Sequence, residues 1–186
     1  MIMRQIRGAL LGERRNSLIE IGSKDALQKR LRSCYDKSRD TPLNLSQAEY
    51  SGCVYVIECQ NTSIEQAEWI SKYKHGKVEI PWWIAPAESA TQRLYVGRTT
   101  DITDRLWDHI RGFDSGGAHF TSIFRPHRLR RVFLYDKYEY RNLLEGKISQ
   151  TTDRENDTAF VYSDRYDTLR GYKDYGEKPT DQHTIA

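Results

Sequence analysis

The sequence predicts an α/β chain of the α+β kind, on three observations. Short runs rich in β-branched and aromatic residues recur at 53–57, 93–96 and 129–135. Stretches with apolar residues at helical spacing lie at 23–35, 61–73 and 100–110. Breakers punctuate the two kinds of segment, among them Pro42, Pro81, Pro86, Gly97, Gly112 and the pair Gly116-Gly117.

Residues 1–50 read as a charged, helical N-terminal extension. In 23–35, Ala26, Leu27, Leu31 and Cys34 recur on one face, and Ser23 followed by Asp25 suits a helix start. Pro42 breaks the chain, and 45–50 reads as a further helical turn. Lys24, Lys29, Arg30 and Arg32 form a basic face, of the kind that solvent usually covers and a phosphate backbone can meet.

The main domain is expected at 51–176, with a polar, loose tail at 177–186. Its first strand, Val54 to Ile57, reads as buried on both faces. A short helix over 61–73 follows, and Pro81 and Pro86 stop it from continuing through the Trp82-Trp83 pair. Those tryptophans are expected to cover core, with base stacking as the alternative. The second strand ends at Gly97. Thr100 or Asp101 then caps a helix that Gly112 closes. Within that helix Ile102, Leu106 and Ile110 lie a turn apart and form the buried stripe, while Arg105 and His109 share a neighbouring face. A third strand covers 129–135, 138–148 looks helical, and a last helix is expected from about Asp153, bearing Ala159, Phe160 and Tyr162.

Bulk properties exclude more than they select. The chain has 186 residues, enough for one domain with additions. Charged residues make up 30% against about a quarter in an average globular protein, and net charge is +3. The pI near 8.7 is compatible with a phosphate-rich partner without demanding one. No apolar run approaches the ~20 residues of a membrane span. Cys34, Cys53 and Cys59 are odd in number and lack a C-x-x-C pair, which argues against a disulfide framework or structural zinc. An intracellular, cytoplasmic protein is the expectation.

One set of polar groups gathers where the first two strands end. Tyr55 sits inside an apolar strand, Tyr95 precedes Gly97, and Arg98, Thr99 and Thr100 follow before the helix that presents Arg105 and His109. Two phenols, a guanidinium and an imidazole suit phosphodiester hydrolysis. The phosphate gains negative charge as it is attacked, which a fixed guanidinium stabilises. The attacking water must lose a proton to a phenol or imidazole. A hard divalent cation on a carboxylate polarises the phosphoryl oxygen.

These residues resemble the GIY-YIG nuclease superfamily. Cys53-Val54-Tyr55 stands for its Gly-Ile-Tyr and Tyr95-Val96-Gly97 for its Tyr-Ile-Gly. The continuation YVGRTTDITDRLWDHIRG is similar to the superfamily's Y-[IV]-G-x-T-x-[ND]-[LI]-x-x-R-L-x-x-H stretch. GGAHFTSIFRPHRLRRVF resembles a run of its small members, and Glu155-Asn156-Asp157-Thr158 with Leu169-Arg170-Gly171 resembles an ending of some microbial ones. Tyr55 and Tyr95 are 40 positions apart where the family's motifs are close-set, so 61–90 reads as an insertion, which loop entropy tolerates.

The resemblance implies a central three-stranded antiparallel sheet flanked by helices, and a metal-dependent endonuclease acting on nucleic acid, most naturally DNA, with one Mg2+ or Mn2+ ion. It implies Tyr55 as general base or water-orienting phenol, Tyr95 as a positioner of water and phosphate, Arg105 as phosphate holder, and His109 as proton-transfer partner. Gly97, Arg98 and Thr99 would border the substrate, and Glu155 would hold the metal, with Glu145 as its rival. The alternative is a nucleic-acid-binding or regulatory module on the same fold that has lost efficient chemistry.

Overall fold

The computed structural model describes residues 3–6, 17–36, 51–135, 141–155 and 158–163. The expected turn at 45–50, the Leu169-Arg170-Gly171 match and the tail at 177–186 lie outside the described residues.

The apolar run after Ser51 forms strand β2 (Gly52–Cys59), buried from Gly52 through Ile57. It pairs antiparallel with β3 (Gln92–Thr99) on one side and β4 (Pro126–Tyr135) on the other. Two short strands extend the sheet: β1 (Met3–Ile6), antiparallel to β4, and β5 (Ala159–Tyr162), parallel to β3. The order is β1-β4-β2-β3-β5, a mixed sheet in an α+β fold, with an antiparallel trio at its centre. Strand β1 corrects the reading of 1–50 as wholly helical. Its four residues complete the open edge of β4, a tertiary pairing that no local periodicity encodes.

Alternation along the strands divides the core in two. Cys53, Tyr55, Ile57, Tyr95, Leu129, Val132 and Leu134 join one cluster with Leu27 and Leu31 of α1 (Lys24–Asp36), Ile102, Leu106 and Ile110 of α4 (Ile102–Arg111), and Phe120 and Ile123 of α5 (His119–Ile123). Val54, Val56, Leu94, Val96 and Phe133 face the other way, onto Leu144 and Ile148 of α6 (Arg141–Arg154). The helix starts follow the sequence. Ser23 Oγ accepts from the Ala26 amide at 3.2 Å at the head of α1, and Asp101 accepts from the Asp104 amide at 2.9 Å at the head of α4. Gly112, at φ +99°, ends α4 in a conformation that disfavours any residue with a Cβ. An ion pair between Lys24 and Asp104 joins α1 to α4.

Between β2 and β3 the segment 61–90 folds as α2 (Ile64–Trp69), which loosens into a π-helical turn over Ile70–Lys74, and then as α3 (Ile84–Ser89). Trp83 is buried, its ring centroid 5.2 Å from Phe120 and 5.3 Å from Tyr162, so the tryptophan pair covers core. The helix expected from Asp153 through Tyr162 is not formed: α6 ends at Arg154, and Ala159–Tyr162 is strand β5. All four strand residues are buried, Phe160 and Tyr162 in one core cluster and Ala159 and Val161 in the other, so no polar alternation marked the strand.

Candidate active site between β2, β3 and α4

Register places Tyr55 directly opposite Gly97, and Tyr95 two residues before it projects to the same side of the sheet. Both phenols therefore point toward α4, whose buried stripe turns Arg105 and His109 inward. The Tyr55 ring centroid lies 6.3 Å from Tyr95 and 5.8 Å from His109, and Tyr95 lies 5.0 Å from His109. Gly97 makes this possible. A Cβ there would stand 2.5 Å from Tyr55 Oη and 2.7 Å from Tyr95 Cε1.

A continuous hydrogen-bond chain runs through the group. Arg105 Nε–H donates to Tyr55 Oη at 3.3 Å, and Tyr55 Oη lies 2.8 Å from His109 Nε2. His109 Nδ1 lies 2.7 Å from Thr121 Oγ1, whose hydroxyl donates to the Ala118 carbonyl at 3.1 Å. Because the Thr121 proton serves that carbonyl, we assign the Nδ1 proton to the 2.7 Å contact, with Thr121 accepting, over the longer 3.5 Å contact from the Ala118 amide. Nε2 is then the lone-pair nitrogen, and Tyr55 donates to it. Arg105 Nη1 also donates to the Gly116 carbonyl at 2.5 Å, which fixes the guanidinium against the α4–α5 turn.

Burial and charge set the protonation states. His109 is fully buried, and burial, helped by the nearby Arg105 charge, brings its pKa down to about 3. Its imidazole is neutral at any ordinary pH, and it accepts a hydrogen bond far more readily than it takes up a proton. Burial opposes the charge on Arg105, but the phenolic oxygens of Tyr55 and Tyr95 beside it outweigh that and hold its pKa above the ordinary value.

The other expected residues are placed apart from this group. Thr99 Oγ1 accepts from the Asp101 amide at 3.0 Å and donates to the Asp101 carbonyl at 2.9 Å, shaping the turn into α4. Arg98 pairs in register with Val54, hence on the α6 side, and its Nε lies 3.3 Å from Glu145 Oε2. Glu155 is not brought to the tyrosines. It sits past the end of α6, with Arg131 Nη1 donating to its Oε2 at 2.7 Å, half-exposed and on the α6 face. Glu145 is buried, and Ser163 Oγ donates to its Oε1 at 3.0 Å. It lies near the start of α6, at the end of the sheet where β3 leaves for α4; Glu155, ten residues on, lies about 15 Å further along the helix axis. Among the described residues no group of three or more His, Cys, Asp or Glu side chains gathers as a metal cage.

The sequence gives no site role to Thr121, Ala118 or the Gly116 carbonyl, although all three lie in the GGAHFTSIFRP run. The run was visible, but not that its threonine orients a histidine twelve positions earlier. Cys53 and Cys59 are free and buried, and burial raises both thiol pKa values. No helix among the described residues is long and apolar enough to cross a membrane. No family model matches the chain, and neither the curated proteins nor the solved structures yield a significant match.

Proposed function

We propose that the protein is a phosphodiesterase of the GIY-YIG type, an endonuclease acting on DNA. What supports this is a single arrangement: Arg105, Tyr55, His109 and Thr121 in one hydrogen-bonded line, with Tyr95 alongside. Neutral His109 accepts the Tyr55 hydroxyl in a hydrogen bond through Nε2 and fixes the phenol's orientation, while the Arg105 charge beside the oxygen favours the phenolate, whose proton is lost to solvent. The phenolate oxygen takes a proton from the attacking water. Arg105, anchored on the Gly116 carbonyl, presents its remaining N–H groups to the phosphate as negative charge grows there. Tyr95 packs the other side of the histidine and helps to fix Tyr55. A Mg2+ or Mn2+ ion, when bound, would polarise the phosphoryl oxygen and ease departure of the leaving oxygen. The carboxylates that could anchor it are Glu145, buried beside Arg98, and Glu155, past the end of α6, both on the α6 side of the sheet.

The test is a cleavage panel of plasmid, linear, branched and single-stranded DNA, with RNA beside them, in magnesium or manganese. Cleavage by the parent that Arg105→Ala abolishes supports the reading. Equal cleavage by both preparations, or none on any substrate, removes it.

One observation favours a second reading, a nucleic-acid-binding module with little chemistry: Tyr55 and His109 are each 0% exposed, and the carboxylates lie on the α6 side of the sheet. Salt-sensitive DNA binding without cleavage in any divalent metal would select it.

A further inference from the structure

A second concavity lies between the insertion and the far end of α4. It encloses about 480 Å3, within the ~300–1,000 Å3 range of small-ligand clefts, and nothing in the proposed mechanism uses it. Its lining is polar and basic. Lys74 of the π-helical turn, Arg111 at the last residue of α4 and Arg125 before β4 supply three cations, and Asp114 is the single carboxylate among the described lining residues. Gln60, Asn61 and Gln66 contribute side-chain amides. The ring of Phe113, 41% exposed, is backed by His75 at 4.3 Å between centroids.

Cations for phosphate, amides that can read a base edge, and a supported aromatic face for stacking are the three kinds of contact a nucleotide requires. The surface beyond the cleft continues the theme. Trp69, the last residue of α2, and Tyr73, on the π-helical turn, are more than half exposed, and Lys74 and Lys72 hold their ammonium groups 5.8 Å and 5.3 Å from the respective ring centres. Basic and aromatic side chains interleaved on an exposed surface suit a nucleic-acid strand better than a wholly apolar partner.

The cleft is also tied to the candidate active site. Helix α4 presents Arg105 to the tyrosines and ends at Arg111, six residues and about 9 Å further along its axis, or between two and three base steps of B-form DNA. The turn that walls the cleft at Gly112, Phe113 and Asp114 continues to Gly116, whose carbonyl holds Arg105.

We infer that this cleft binds a nucleotide of the substrate strand a few steps from the scissile phosphate, its phosphate on Arg111 and Lys74 and its base against Phe113 and the amides of Gln60 and Gln66. The insertion at 61–90 thereby supplies one wall of a recognition site. The inference rests on the nuclease reading for the identity of the strand, and its test is a binding measurement that needs no catalysis.

Fluorescein-labelled single-stranded and duplex DNA oligonucleotides are titrated in EDTA at roughly 50 mM salt, with anisotropy as readout. The proteins are the parent, Arg111→Gln, Phe113→Ala and, as control, Lys147→Gln on the exposed face of α6. Both cleft positions are exposed, and thermal melts check that the variants fold. The expected result is a loss of affinity of about tenfold in each cleft variant and none in the control, with the log-log salt slope of Arg111→Gln reduced by about 1. A larger Phe113→Ala effect on the single strand identifies an unstacked base as the occupant; a larger effect on the duplex identifies a paired one. Cleft variants that bind as the parent does, or a parent that binds neither oligonucleotide, overturn the inference. Plasmid cleavage on the same preparations reports the nuclease reading separately. Cleavage with unaltered cleft-variant binding leaves that reading standing alone, and cleft-dependent binding without cleavage leaves this inference standing alone.

Discussion

Tyr55 occupies the space that a side chain at Gly97 would fill: a Cβ on Gly97 would come 2.5 Å from Tyr55 Oη and 2.7 Å from its Cζ. The two residues face each other across the β2–β3 ladder, so the strand pairing holds their backbones and any relief must come from the ring. Gly97 is in the sheet for the sake of the phenol.

Gly97→Ala is therefore expected to push the Tyr55 ring from its line with Arg105 and His109. Overpacking of this kind costs about 1–3 kcal/mol of stability. Displacing a reacting group by an ångström costs cleavage about a hundredfold. A melting curve and a cleavage rate on the same preparation check both. A variant that cuts as fast as the parent would show that Tyr55 needs no fixed position.

Stability should fall on acidification, in a window set by the buried histidine. His109 titrates near 3 in the folded protein, against about 6.5 in the unfolded chain. The unfolded chain thus takes up the proton first. The stabilisation is complete above pH ~6.5 and is lost as pH falls from there toward 3. Between pH 7 and 5 the loss is about 2 kcal/mol for this one residue. His119, lowered to about 4 by burial, with the charges of His75 and Lys77 adding to it, acts in the same direction. Denaturant unfolding at both pH values measures the slope. His109→Gln, less stable at neutral pH, should lose less on acidification, and an unchanged slope in that variant contradicts the assignment.

How far the sequence spoke depended on whether the information was local. The α4 cap at Asp101, its stripe of Ile102, Leu106 and Ile110, and its stop at Gly112 are written in consecutive residues, and all appear in the structure. Tyr55, Tyr95, Gly97, Arg105 and His109 were legible as a group because strand register and one helical turn suffice to bring them together. Strand β5 was not legible, because Ala159 to Tyr162 is apolar on both sides and a helix offers the same burial. Nor was the placement of the acids. Which of Glu145 and Glu155 lies at the β3 exit depends on the direction in which α6 crosses the sheet, and that is a tertiary fact.

Thr121 offers a test of the tautomer. On the assigned tautomer its hydroxyl accepts from His109 Nδ1–H, leaving Nε2 to accept the Tyr55 hydroxyl in a hydrogen bond. Thr121→Val keeps the shape but leaves a buried N–H without an acceptor, at a cost of about 1–3 kcal/mol. As a positioning residue with no contact to substrate, it should lower kcat about a hundredfold while KM stays put. Thr121→Ser restores the hydroxyl and should restore kcat. A KM effect without a kcat effect, or failure of serine to rescue where valine folds normally, points to packing alone.

The two glutamates separate the metal anchor from a surface ion pair. Glu155 shares an exposed bridge with Arg131, worth about 0–1 kcal/mol after solvent screening, so Glu155→Gln should change neither melting temperature nor cleavage appreciably. Glu145 is buried between Arg98 and Ser163 on the α6 side of the sheet, at the end where β3 leaves for α4. Glu145→Gln keeps its volume and an acceptor for Ser163, but it removes the negative charge that a cation and Arg98 both require. The expected outcome is cleavage lost by more than a hundredfold, with a weakened dependence on magnesium concentration. A melt must show the fold retained. If instead Glu155→Gln abolishes cleavage and Glu145→Gln does not, the cation is held beyond the end of α6, and the carboxylate assigned from its Glu-Asn-x-Thr setting is the right one.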